Sequence, residues 1–311
     1  MEYKLLNKRE FEKYLIQFEE LFNLCFNREI DKSYFHWRYL NNTMNDLLVY
    51  VALDNGKLIG NYSVFPCEIN IKGEIRKVGL SMTTMTHPNY KGKGIFTTLA
   101  NKLYQRMKNE GYAAVFGFPN NNSHKIFVNK LGWTDIYEIP SLSTINTNRE
   151  YINSNNTIIL DNKFELDYSI FIDTCKNIHI NKNNQYLKWR FFDNPINDYD
   201  NYVLLDNNKL IANCVIKFYN NEMDIVEINC VDYEKIHMFI NNIISLNKEK
   251  IIKVNTWMNV TSEFHNVYEK LGFINREPIT YFGIKKLDKS LNEDIYNYKE
   301  WFIQMSDSDV Y

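Results

Sequence analysis

The sequence predicts an α+β fold, an α/β sandwich built from two tandem copies of one unit, each a mixed central sheet flanked by helices. Three observations carry this. "SYFHWRYLNN" at 33–42 resembles "QYLKWRFFDN" at 185–194, and "LDNGKLIGN" at 53–61 resembles "LDNNKLIAN" at 205–213, both at an offset of 152. Two matches at one offset mark a repeat. A third pair, "NKLGW" at 129–133 and "EKLGF" at 269–273, stands 140 apart, so the second copy is shorter between its hairpin and its last helix. Within each copy, apolar runs of strand length alternate with apolar residues at helical spacing.

The elements follow in order. Phe11, Leu15, Phe18, Leu21 and Phe22 line one face of an opening helix ahead of Trp37-Arg38. Asn55-Gly56 turns a hairpin between "LLVYVAL" and "KLIGNYSVF". A third strand, Arg76–Thr86, leads into Lys91-Gly92-Lys93-Gly94, and Ile95, Phe96, Leu99, Leu103 and Met107 then mark a helix closed by Gly111. "AAVFGF" is the next strand and Ser123–Leu131 the next helix. The polar stretch 146–156 is the junction, giving units at 1–147 and 148–288. The remainder, 289–311, reads as a helix (Leu291–Gln304, with Trp301 and Phe302) and an acidic tail, "SDSDVY".

Composition narrows the function. The 311 residues are 45% hydrophobic and 15% aromatic, enough for a sizeable core, and the formal charge of −2 lacks the basic footprint of a nucleic-acid binder. No run approaches the length of a membrane span, and the start lacks the apolar stretch of a signal peptide. Cys25, Cys67, Cys175, Cys214 and Cys230 are odd in number and widely spaced, as in a reduced, cytoplasmic protein. No metal site, nucleic-acid partner or membrane partner is expected; the oligomeric state is open.

The lysine-glycine loop is the strongest chemical signal. Amides of a first helical turn and the helix dipole favour an anion, glycines let the backbone approach it, and Lys91 and Lys93 add attraction. A P-loop, G-x-x-x-x-G-K-[ST], is absent, and G-x-G-x-x-G fails because Thr97 stands at its third glycine. The run from Thr86 to Leu99, the strand "AAVFGF" and "NNSHKIFVNKLGW" together resemble the GNAT superfamily of acyl-CoA-dependent acyltransferases. In that family, backbone amides of a [Q/R]-x-x-G-x-[G/A] loop hold the coenzyme A pyrophosphate. Lys91 takes the first place, Gly94 the central glycine and Phe96 the last small residue; the first and third depart from the commonest pattern. An Asn eleven residues before the glycine of the family's Y-E-K-L-G-F signature touches the pantetheine arm, and Asn121 stands at that distance from Gly132. The resemblance implies coenzyme contacts from Met85, Thr86, Lys91, Gly92, Lys93, Gly94, Ile95, Phe96 and Asn121, with acetyl-CoA as cosubstrate. The second copy has no such loop and carries Asp232 and Glu234 there.

Acyl transfer to an amine needs a neutral amine, a polarised carbonyl and a proton for the leaving thiolate. Many GNAT enzymes take that proton from a Tyr in the Y-E-K-L-G-F segment. Val128 holds that place in the first copy, while Tyr268 of the second copy has no coenzyme loop beside it and reads as a buried helix tyrosine. Ser123 and His124, at the start of the same helix, are the nearest alternatives. His87 reads as a turn cap. Trp37-Arg38 and Trp189-Arg190 occur in both copies and read as packing. Asp307, Asp309 and the carboxylate of Tyr311 are further candidates, because tandem GNAT proteins such as the N-myristoyltransferases bring their C-terminal carboxylate to the active site as a base. The motifs "T-H-P-x-Y-x-G-K-G-I-F" and "S-D-x-D" are similar to acetyltransferases found with surface-polysaccharide genes. The expected activity is N-acetylation of a small primary amine, an amino sugar or sugar nucleotide. The rivals are a FemABX-like aminoacyltransferase and a non-catalytic acyl-CoA-binding module.

Overall fold

Asn55 and Gly56 have φ of 51° and 78°, and Asn207 and Asn208 have 48° and 62°, the left-handed backbone that a two-residue hairpin turn requires. Both turns follow a register shift, at Ala52/Leu53 and at Leu204/Leu205, so the repeat extends to its irregularities. The structure, a computed structural model, describes residues 1–278 and 280–311.

In chain order, the strands are β1 (Glu2–Leu5), β2 (Leu48–Asp54), β3 (Lys57–Ile71), β4 (Glu74–Thr86), β5 (Ala114–Gly117), β6 (Thr134–Glu138), β7 (Ser141–Thr144), β8 (Thr157–Leu160), β9 (His179–Ile180), β10 (Asp200–Asp206), β11 (Lys209–Tyr219), β12 (Glu222–Cys230), β13 (Lys253–Trp257), β14 (Ile274–Arg276) and β15 (Tyr281–Lys286). The helices are α1 (Lys8–Phe26), α2 (Lys32–Phe35), α3 (Ile95–Asn109), α4 (Asn121–Leu131), α5 (Ser169–Thr174), α6 (Asn184–Leu187), α7 (Tyr233–Asn247) and α8 (Glu263–Lys270). α1 starts at a capping box in which Asn7 and Glu10 satisfy each other's backbone amides. Its buried stripe is Phe11, Leu15, Phe18, Leu21 and Phe22.

The chain divides into two compact units. The first comprises Met1–Ile69, Glu74–Tyr137 and Thr280–Tyr296. The second takes Asn70–Gly73, the stretch from Glu138 to the first unit's return at Thr280, and Asn297–Tyr311. The two sheets run β1-β2-β3-β4-β5-β15-β6 and β14-β7-β13-β12-β11-β10-β8. The division therefore falls ahead of the expected junction at 147/148, because Ser141–Thr144 pair with β13 and β14. The expected piece 289–311 is likewise shared between the units rather than separate.

A helix over 291–304 does not form. That stretch holds two 3-10 turns, Glu293–Tyr296 and Tyr298–Glu300. Asn297 caps the second, accepting from the Lys299 amide at 3.2 Å. Trp301 is then drawn into a parallel bridge with Ile178, where Phe302 N donates to Ile178 O at 2.9 Å. Tertiary pairing outweighs helix propensity here.

In the first unit, Leu99, Leu103 and Met107 of α3 pack with Tyr62, Val64, Val115, Phe127 and Trp133. In the second, Ile236, Ile240 and Ile243 of α7 pack on Cys214, Ile216, Ile225 and Tyr268. Each Trp-Arg pair sits on a π-helical turn, His36–Leu40 and Lys188–Phe192. The Arg38 guanidinium is buried 4.5 Å from the Phe65 ring centre. Arg190 lies against Phe191 and Tyr199 and donates to the main-chain oxygen of Tyr311. All five cysteines are free thiols, and no helix among the described residues is long and apolar enough to cross a membrane.

Candidate active site

β4 is longer than its pairing with β5. The parallel register ends at Leu80 opposite Phe116, while β4 runs on to Thr86. β5 itself ends one residue later, at Gly117, which lies against Ser81. Thr83, beyond the residues of β4 that pair with β5, has φ of 44°, a strained conformation for a β-branched residue. Asn61 of β3 holds it, donating from Nδ2 to Thr83 O at 2.8 Å. Ser81, the residue after the last β4–β5 pair, accepts from the Tyr62 hydroxyl at 2.9 Å, and Tyr62 pairs with Tyr104 at 2.7 Å. Burial raises both tyrosines above the usual phenol range, so they act as fixed donors rather than proton carriers.

The expected coenzyme residues lie at the end of β4, at the start of α3 and, for Asn121, at the start of α4. Met85 is buried and Thr86 half-buried at the end of β4; the Cys25 thiol donates to Thr86 O at 3.5 Å. His87 accepts the Asn89 amide through Nδ1 at 3.2 Å and caps the turn Pro88–Tyr90. Lys91, Gly92, Lys93 and Gly94 are all exposed. Gly92 and Gly94 have φ of 78° and 73°, and Gly94 is the N-cap of α3 with no side chain capping it and no acid in the first turn. The amides of Ile95 and Phe96 head that turn. Phe96 keeps its amide there while its ring packs 5.3 Å from Phe127, which explains how a large residue is tolerated.

The second unit is built differently at the equivalent helix. Asp232 caps α7, accepting from the Glu234 amide at 3.2 Å, and Glu234 adds an acid in the first turn. A protein carboxylate already occupies the place where an anion would bind. β12 also outruns its register with β13, which ends at Ile225 opposite Thr256. The chain end meets it there: Ile228 N donates to Gln304 Oε1 at 2.6 Å, and the Tyr311 ring lies 5.1 Å from Trp257. Met305, Ser306, Asp307 and Ser308 are each 1–2% exposed, so the tail is packed rather than loose.

The candidate catalytic residues separate into two groups. Asn120 caps α4, so Ser123 is tied to that cap, while exposed Asn121 begins the helix. His124 Nε2 lies 2.7 Å from Asp135 Oδ2 of β6, and its ring stacks on Tyr281 at 3.7 Å. Asp135 and Tyr281 were not legible as site residues, since no motif links them to α4. Asp307, Asp309 and Tyr311 belong to the second unit. There Asp307 pairs with Lys182 at 2.7 Å and accepts the Gln304 amide at 2.7 Å. A pocket of about 30 Å³, room for roughly one water, lies beside this cluster and is lined by His179, Lys182, Glu227 and Phe302. Lys182 already meets Glu227, Ser306 and Asp307, so it offers no open donor. No group of metal-ligating side chains occurs among the described residues.

Tyr268 is fully buried beside Phe273, with its hydroxyl held well above the phenol range by burial. Tyr268→Phe is therefore expected to leave turnover within threefold or so of wild type. A loss on the order of a hundredfold, the scale of a general acid, would instead place it in the chemistry.

Comparison with known proteins agrees with this geometry. Residues 2–136 match the family of the acetyltransferase (GNAT) domain. No curated protein matches the chain in sequence. Among solved structures, a probable N-acyltransferase from Enterococcus faecalis is similar, with TM-score 0.73, 12% identity, 92% of this chain covered and 72% of that one. A GCN5-related N-acetyltransferase from Anabaena variabilis gives 0.72 at 11% identity, covering 92% and 73%. Another, from Kribbella flavida, gives 0.71 at 10%, covering 92% and 71%. At these identities the likeness is one of fold, and it spans both units. The uncapped helix and the family match coincide in one half of the chain: residues 2–136 match a GNAT acetyltransferase domain.

Proposed function

We propose that the first unit binds acetyl-CoA along β4 and at the start of α3, and transfers the acetyl group to a small primary amine. The observation that supports this most is the uncapped α3 N-terminus beneath two exposed lysines. Its free amides and dipole suit a pyrophosphate, and the left-handed glycines leave the approach open. Met85, Thr86 and Asn121 would line the pantetheine arm, and the thioester supplies the activated acyl group. The pairing of β4 with β5 ends at Leu80, and backbone groups of β4 beyond it would pair with that arm's amides. An amino sugar or sugar nucleotide is the acceptor class we favour, in the cytoplasm; this rests on the resemblance of the loop and tail motifs. His124 is the residue we assign to proton transfer. Asp307, held by Lys182, is given no chemical step.

The test is turnover of acetyl-CoA against a panel of primary amines that includes amino sugars, with release of free thiol as the readout. Thiol release dependent on an amine supports the assignment. Tight coenzyme binding without turnover would make the unit a binding module. Absence of any coenzyme binding would overturn the proposal outright.

A further inference from the structure

His124 stands on α4 one turn after Asn121 and one turn before Val128, so the three share a helix face. Two elements from elsewhere in the first unit fix its ring. Asp135 of β6 reaches Nε2 at 2.7 Å, and Tyr281 of β15 lies parallel to the imidazole, 3.7 Å between centres and 7° between planes. A carboxylate only accepts hydrogen bonds, so the neutral ring must carry its proton on Nε2. The lone pair is then on Nδ1. A histidine held this way receives a proton at Nδ1 and, once charged, has a carboxylate beside its other nitrogen.

We propose that Asp135 and Tyr281 position His124 as the general base of this unit, with Nδ1 the accepting atom. This rests on the N-acetyltransferase assignment and refines it: His124 is the base for the amine, not the acid for the thiol. The incoming amine is an ammonium ion near neutral pH. His124 Nδ1 takes one proton from it and the freed lone pair attacks the thioester carbonyl. The C–N bond forms, the C–S bond breaks, the thiolate takes the second nitrogen proton, and His124 passes the first to water. Asp135 stabilises the imidazolium between these steps. Tyr281 blocks rotation of the ring, so Nδ1 does not exchange places with Nε2. Asp135 and Tyr281 are the titratable side chains that β6 and β15 set against this ring.

The experiment combines kinetics with ¹⁵N spectra of histidine-labelled full-length protein. His124→Gln is expected to lower kcat about a hundredfold, the usual scale for a general base, while the stabilisation by coenzyme A is retained. Asp135→Asn should lower kcat by at least tenfold and shift the His124 ¹⁵N signals away from the Nε2–H tautomer. Tyr281→Leu should lower kcat, and Tyr281→Phe, which keeps the stacked ring, should restore it. A kcat for His124→Gln within threefold of an active wild type overturns the inference and leaves the acetyltransferase assignment standing. If the wild type turns over no amine, that assignment has failed. The spectrum still decides the pairing, since a dominant Nδ1–H tautomer overturns it.

Discussion

Lys182→Met is expected to destabilise the second unit by roughly 3–5 kcal/mol, the scale for removing one partner from a buried charge cluster. Lys182 Nζ donates to Glu227 Oε2 at 2.5 Å and Ser306 Oγ at 2.8 Å, and pairs with Asp307 at 2.7 Å. Both carboxylates are at most 2% exposed, so without the lysine two negative charges stay in low dielectric with no counter-charge. Urea unfolding should show an earlier transition for this unit, and adding Glu227→Gln and Asp307→Asn should recover much of the loss. An unchanged midpoint would mean that the cluster is hydrated in solution.

The same cluster fixes a pH dependence. Burial, reinforced by the like charge of Glu227, raises Asp307 above the usual carboxylate range despite the pull of Lys182. A raised folded-state pKa means this group's contribution is complete below the ordinary carboxylate pKa and is lost as pH rises through the folded value. Stability from Asp307 should therefore fall from acid toward neutral pH, and Asp307→Asn should flatten that part of the profile. The two carboxylates raise Lys182 against the effect of its burial. Its contribution therefore persists below the ordinary lysine pKa and is lost above it.

The second large effect is expected at Gly94. Coenzyme A at a hundred times its dissociation constant should add about 2.7 kcal/mol to the unit that binds it. Gly94→Glu should remove that gain, because the side chain brings a negative charge to the head of α3. At φ of 73° any non-glycine residue also carries strain, on the order of 1–2 kcal/mol. Gly94→Ala separates the two causes: it takes the strain without the charge and should keep a measurable coenzyme shift. With two units, the shift should appear in one unfolding transition and not the other. A full shift in Gly94→Glu would exclude the loop as the pyrophosphate site.

The repeat was legible because its best-preserved segments are local. The Trp-Arg turn and the Asn-Gly hairpin have strong short-range requirements, and both copies meet them with similar residues. The lysine-glycine loop was legible for the same reason. The exchange of β7 and β15 was not, since "SLST" and "YFGIKK" are compatible with several sheet positions and only their partners decide which. The chain end misled: Leu291, Ile295 and Trp301 are all buried, but the first two belong to the first unit and Trp301 to the second. His124 stood out as a residue, while its partner did not. Gly132, with φ of 68°, reverses the chain after α4 and brings Asp135 back beside it, a contact no spacing rule announces.

The exchanged strands also govern the order in which the molecule is made. The first unit's sheet lacks the strand between β5 and β6 until Tyr281–Lys286 has left the ribosome, although β1 to β6 are complete at Glu138. At roughly 5–20 residues per second, the edges of β5 and β6 wait about seven to thirty seconds for their partner. During that interval they are unpaired strand edges, which invite pairing with other chains. A gene fragment stopped at residue 147 would hold the nascent chain in that state permanently. Expression of the half that carries the lysine-glycine loop therefore calls for the whole chain, or for a fusion that returns the sequence 281–286 to its place.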